Sequence, residues 1–364
     1  MLRGGGNVPA RFTPSGHLVY ADADALFAVP VNQRFEPVGD PTPVLQGIDH
    51  YFRHSNVALS DNGTVVYVPA DHVREAELAW LNRDGDTTPV TGGRAPFVSF
   101  ALSPDGREAA GALVQGTKLQ VWIFDLERGA KRLLVAEGES REPIWSRDGA
   151  FITYVSDTGD EQAFCRTRAD GTGTVEVLMR RPGYSTPEDW SPDGRTLLFS
   201  EYTSRGDSDV WIYSGGKAAP LIASPFNEES PRFSPDGRFI AFDADDGGVG
   251  HVYVQPFPGK GPRTAISAEE SYSPEWINEG RQLFYMSAGQ MNVVDLQTQP
   301  VLRIGQARAL NNRRSAEWRG GGKPSMDGRR FLTLSPRAME GPLELRIILN
   351  WFEELERLAP HPQR

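Results

Sequence analysis

The chain of 364 residues is 39% hydrophobic and 10% aromatic, enough for a sizeable core; its 38 glycines and 28 prolines exceed the globular average but stop short of disorder. A formal net charge of −10 argues against nucleic acid, which needs a basic footprint, and the single cysteine, Cys165, rules out an internal disulfide and a cysteine-built metal site. No run approaches the ~18 apolar residues of a membrane span, and Met1-Leu2-Arg3-Gly4-Gly5-Gly6 lacks the apolar stretch of a signal peptide, so a cytoplasmic location is expected of the chain as written.

One turn recurs from end to end. In chain order its copies are Thr13-Pro14-Ser15-Gly16, Ser60-Asp61-Asn62-Gly63, Ser103-Pro104-Asp105-Gly106, Ser146-Arg147-Asp148-Gly149, Ser191-Pro192-Asp193-Gly194, Ser234-Pro235-Asp236-Gly237, Ile277-Asn278-Glu279-Gly280 and Ser325-Met326-Asp327-Gly328. Their glycines are separated by 47, 43, 43, 45, 43, 43 and 48 residues. In the clearest copies proline presets φ, aspartate bonds the backbone ahead and glycine accepts positive φ. A period of about 45 is that of a four-stranded propeller blade.

Each repeat predicts the same strands. A short one such as Pro231-Arg232-Phe233 enters the turn, and a more apolar one such as Phe239-Ile240-Ala241-Phe242 leaves it. Third strands follow as Val121-Trp122-Ile123-Phe124 or Val210-Trp211-Ile212-Tyr213, and the fourth, such as Arg132-Leu133-Leu134-Val135, is outermost. Such sheets cannot bury both faces alone and must stack around an axis. Trp145, Trp190, Phe233 and Trp276 all stand ahead of the turn, which marks one inter-blade packing position repeated, not a stacking platform for a ligand.

The eighth repeat runs out of strands. Thr42-Pro43-Val44-Leu45-Gln46 is expected to close the last blade, giving seven blades with residues 1–40 as an overhanging partial blade; closure by residues 1–7 would give eight. The expected fold is thus an all-β propeller of four-stranded blades over 1–349, seven in preference to eight, with a short helix and tail over 350–364. Asn350 is the expected N-cap with Glu353 at the capping-box position, and Trp351, Leu355 and Leu358 form the docking face. The basic stretch between Arg303 and Arg330 is read as a solvated connection.

Three stretches carry a resemblance. They are Phe226-Asn227-Glu228-Glu229-Ser230-Pro231-Arg232-Phe233 running on to Val252-Tyr253-Val254-Gln255-Pro256-Phe257-Pro258-Gly259, the opening Gly16-His17-Leu18-Val19-Tyr20 through Thr42-Pro43-Val44-Leu45, and the closing Asn350-Trp351-Phe352-Glu353-Glu354-Leu355. Together they resemble the C-terminal propeller of bacterial membrane-anchored serine/threonine kinases, whose blades are WD40-like repeats of the TolB type. The resemblance implies a sensing or protein-binding module, outside the cytoplasm if attached to such a kinase. No glycine-rich phosphate loop, His-Arg-Asp loop or Asp-Phe-Gly is present, so it carries over no kinase activity.

Other chemistry is weakly signalled. A propeller peptidase would need a Gly-x-Ser-x-Gly elbow, and none occurs. A metal-dependent propeller hydrolase or lyase would gather histidines and carboxylates at the channel. His17, His50, His54, His72, His251 and His361 do not show that pattern, and Asp243-Ala244-Asp245-Asp246-Gly247-Gly248 lacks the twelfth-position glutamate of a calcium loop and reads as a hairpin turn. The expectation is therefore a monomeric, non-enzymatic binder of a protein or peptide, without metal or cofactor. Loops entering the innermost strands ring the channel mouth, which makes Tyr51, Arg53, Arg94, Arg141, Glu142, Tyr184, Glu188, Glu229, Tyr272 and Glu275 the candidate binding residues. Their charges alternate in sign, as suits a peptide.

Overall fold

The computed structural model describes residues 10–361 except 23–24, 49, 52–53, 70–74, 117, 158–160, 204–206, 260, 311–318 and 337–343. All eight glycine-punctuated hairpins form as antiparallel strand pairs. The turn chemistry is the expected one. At the third copy Ser103 Oγ donates to Asp105 Oδ1 at 2.7 Å and accepts from Glu108 N–H at 2.9 Å, while Gly106, at φ +70°, donates to Ser103 O at 2.9 Å. The serine hydroxyl holds the Asp105 carboxyl below its ordinary range.

The strands fall into two compact units, 75–337 and a second built from 1–74 with 338–364. In 75–337, five sheets use consecutive strands: blade 1 over 97–135, blade 2 over 139–181, blade 3 over 184–222, blade 4 over 228–265 and blade 5 over 271–309. Blade 6 is composite. Arg319–Pro324 and Arg330–Pro336 supply its inner pair, Ala76–Asn82 and Thr87–Ala95 its outer pair. The inner strands touch in cyclic order, and that of blade 6 meets those of blades 5 and 1, so the ring of this unit closes at six.

Closure thus differs from the sequence expectation of seven blades or eight. Thr42–Gln46 pairs with Ala25–Pro30 and lends nothing to the last blade. Instead repeat two gives its third and fourth strands to repeat eight, which removes the exposed edge that repeat eight would otherwise leave. The inner hairpin of repeat two, Val57–Leu59 with Val65–Tyr67, takes Arg346–Ile348 as its third strand.

Each blade buries both faces of its middle strands, which is why these read as unbroken apolar runs. Leu197, Leu198 and Phe199 are all buried, as are Ile240, Ala241 and Phe242. The recurrent aromatics occupy the inter-blade position: the indole N–H groups of Trp145, Trp190 and Trp276 donate to Ala101 O, Thr153 Oγ1 and Arg232 O of the preceding blade at 3.1, 2.9 and 3.1 Å. Where blade 6 meets blade 1, two backbones nearly touch. A Cβ on Gly92 (φ +68°) would lie 2.3 Å from Gly129 O. Gly92→Ala is therefore expected to cost about 2 kcal/mol or more, read as a lowered urea midpoint at constant m. A loss below ~0.5 kcal/mol would show that this approach is dispensable.

The other unit holds the sheet of Arg11–Phe12, His17–Asp22, Ala25–Pro30 and Thr42–Gln46, the three-stranded sheet just described, and a helix over Trp351–Leu358. Trp351 and Leu355 are buried among Val19, Leu26, Val44, Val65 and Tyr67, so the expected helix face does dock. Its start differs from the expected capping box. Asn350 is left-handed at φ 56° and makes no side-chain cap; its carbonyl accepts from Glu353 N–H at 3.1 Å, while Trp351 N–H reaches Gly63 O at 2.8 Å. His17, directly after the first turn, is fully buried, with Nε2 2.7 Å from Ala359 O.

Candidate functional site

All six inner strands of the ring are bulged. The register slips at Phe97/Ser99, Arg141/Ile144, Pro187/Asp189, Glu229/Arg232, Tyr272/Glu275 and Arg319/Lys323. Glu142, Ser230 and Ser273 take the left-handed backbone that such bulges demand, at φ 49°, 54° and 54°. A bulge re-aims side chains, and here it brings polar ones from successive blades together.

The result is a ladder of charge across four inner strands. Arg232 Nη1 donates to Glu188 Oε2 at 2.7 Å on one side, and its Nε to Glu275 Oε1 at 3.0 Å on the other. Lys323 Nζ meets the same Glu275 oxygen at 3.0 Å. Burial works against the Glu275 carboxylate, but Arg232 and Lys323 hold it down at about 2. Glu188 also accepts from Thr186 Oγ1 at 3.1 Å and Ser200 Oγ at 3.3 Å. Next to the ladder the balance reverses: burial, reinforced by Glu188 and opposed by Arg141 and Lys323, pushes the Glu142 carboxyl up to about 7. Asp243, which accepts from Ser273 N–H at 3.0 Å, is likewise pushed up to about 7 by burial. The Glu229 carboxyl is raised too, by burial, although Ser208 Oγ donates to it at 2.9 Å.

Seven of the ten sequence candidates lie on these strands: Arg141 and Glu142 in blade 2, Tyr184 and Glu188 in blade 3, Glu229 in blade 4, Tyr272 and Glu275 in blade 5. Arg94 lies elsewhere, on the outermost strand of blade 6, paired with Glu75 at 2.5 Å. Tyr51 is on a short strand of the other unit; its side chain, and Arg53 altogether, lie outside the described residues. Sequence reading missed Arg232 and Lys323, the two cations of the ladder. Both stand two residues before the turn serine, where blades 1 and 2 have Ala101 and Ile144, and that shared offset is the signal that marks them.

Elsewhere the polar groups serve the scaffold. Asp245 accepts from Asn227 N–H and Nδ2, each at 2.7 Å, and Asp246 from Tyr253 OH at 2.8 Å, so the acidic stretch from Asp245 on is the expected hairpin connection, while Asp243 and Ala244 end the strand before it. Among the described residues no three His, Cys, Asp or Glu side chains gather as metal ligands. No helix among them is long and apolar enough to cross a membrane.

Residues 141–315 match the family described as the TolB beta propeller domain. An uncharacterized protein of Agrobacterium fabrum is 24% identical over 250 residues, 64% of this chain and 82% of its own length. The Tol-Pal system protein TolB of Francisella tularensis subsp. mediasiatica is 29% identical over 181 residues, 47% of this chain; the match spans only 41% of that protein. Among solved structures, a candidate TolB of Agrobacterium tumefaciens superposes at a TM-score of 0.55 and 17% identity, covering 73% of this chain and 99% of that one, which is a likeness of fold. Residues 141–315, which carry blades 2 to 5 of the six-bladed ring, are TolB-like propeller sequence.

Proposed function

We propose that the ring is a non-catalytic recognition module that takes a protein or peptide segment across the leading ends of its inner strands. The observation that carries this reading is the bulge repeated in every inner strand. It breaks the ladder at one level and lines that level with Arg141, Glu142, Glu188, Glu229 and Tyr272, with the Tyr184 ring against the Arg141 guanidinium. Mixed charge with aromatic bodies is the usual composition of a peptide-recognising surface. Tyr272 is 45% exposed, and the ion pairs beside it hold the surrounding strands in place. Kinship with a protein of the Tol-Pal system supports the same class of partner. The ring closes within one chain, so a monomer suffices.

The test is selection of peptides from a random display library on the immobilised protein. Enriched peptides are expected to weaken at least tenfold with Tyr272→Ala or Glu229→Gln, and not with Arg94→Gln on the outermost strand of blade 6. Failure to enrich any peptide, or binding that follows Arg94, would refute the reading. A propeller hydrolase or lyase is the second reading, and Glu142 favours it, because a carboxyl held near 7 can exchange a proton at neutral pH. It requires turnover that disappears in Glu142→Gln.

A further inference from the structure

Among the described residues, three buried polar atoms at the junction of blades 2 and 3 have no hydrogen-bond partner: Arg141 Nη1, Gln162 Nε2 and Ser185 Oγ. Their residues are 5%, 2% and 0% exposed. They belong to one patch. Ser185 N–H donates to Gln162 Oε1 at 2.8 Å, tying the blades together. Gln162 stands across from Asp157 in blade 2, and Arg141 Nη2 reaches Asp157 Oδ2 at 3.4 Å. Tyr184, next to Ser185, lies over the Arg141 guanidinium at 4.8 Å.

The sense of two of the three missing bonds is fixed, and the third can match it. Because Ser185 N–H occupies Gln162 Oε1, the free end of that amide is its NH2 group. A guanidinium can only donate, and the Ser185 hydroxyl can do so. A buried arginine with a single long ion pair, beside two further unpaired polar groups, is costly for the fold alone. Asp157 takes only the other guanidinium nitrogen, Nη2, so the unpaired donors describe a receptacle for a further acceptor, and with arginine among them the matching acceptor is a carboxylate.

We propose that Arg141, Gln162 and Ser185 form a carboxylate subsite, uncovered by rotation of Tyr184, that takes an acidic side chain or a C-terminal carboxylate of the segment bound by the ring. The inference rests on the recognition reading and names the chemistry it selects. The chain's formal charge of −10 repels acidic ligands in general, so a preference for them reports this local site.

The test uses fluorescein-labelled glycine-serine hexapeptides carrying one aspartate or asparagine, each with a free or amidated C-terminus. Anisotropy is expected to rank the peptide with both carboxyls at least tenfold above the one with neither, and the two intermediate peptides identify which carboxylate is read. Arg141→Gln should abolish the preference, whereas an arginine that only braces Asp157 would leave the ranking of the four peptides unchanged. If that variant fails to fold, Gln162→Leu and Ser185→Ala replace it. Equal binding of all four peptides, no binding of any, or a preference undiminished in the variants overturns the inference. Library-selected neutral peptides that still bind at Tyr272 would leave the recognition reading standing.

Discussion

Replacing Arg232 with methionine should destabilise the ring by about 3–5 kcal/mol, roughly 6–12 °C in melting temperature for a unit of this size. The side chain is 13% exposed and sits between Glu188 and Glu275, whose side chains are 16% and 18% exposed. Removing one partner from a buried ion pair leaves the other charge desolvated and uncompensated, which costs more than the pair itself contributes. The two carboxylates do not suffer equally. Glu275 keeps Lys323, whereas Glu188 is left with the hydroxyls of Thr186 and Ser200. Adding Glu188→Gln to Arg232→Met should therefore restore more than half of the loss. A single-variant effect below ~1 kcal/mol, or no recovery in the double variant, would show that the ladder is solvated and not structural.

What the sequence made legible was local. Ser, Asp and Gly at fixed offsets act within six residues, so eight hairpins could be placed from the turn alone. The inter-blade tryptophans were equally legible, since one packing position repeated in register needs no knowledge of how the ring closes. Closure itself was not. Ala76–Asn82 pairs with Arg330–Pro336 across some 250 residues, and no local feature of either strand names its partner. The candidate site divides the same way. Residues at the starts of inner strands were found because the repeat locates those starts; Arg94 and Tyr51 were misplaced because they lie in repeat two, whose strands are shared out between the two units. Arg232 and Lys323 escape an alternating pattern because bulges alter which side chains face inward; what marks them is their offset from the turn serine.

The protein should be more stable at pH 5.5 than at pH 8. Glu142 and Asp243 each ionise near 7 in the folded ring, against 4.5 and 3.8 for the ordinary groups. Between those values the folded chain holds protons that the unfolded chain has released, so stability is complete below the unfolded range and declines as pH rises to about 7. Glu275, held near 2, works in the opposite sense, but its contribution is complete above about 4.5 and is lost only as pH falls toward 2, outside this window. The expected decline is on the order of 2–3 kcal/mol, allowing for the water that both carboxyls still meet. Glu142→Gln and Asp243→Asn keep shape and remove the titration; each should flatten the profile and raise stability at pH 8. Urea midpoints that stay level or climb from pH 5.5 to 8 would mean that these carboxyls are already ionised in the fold, and that Arg141 and Lys323 outweigh burial at Glu142.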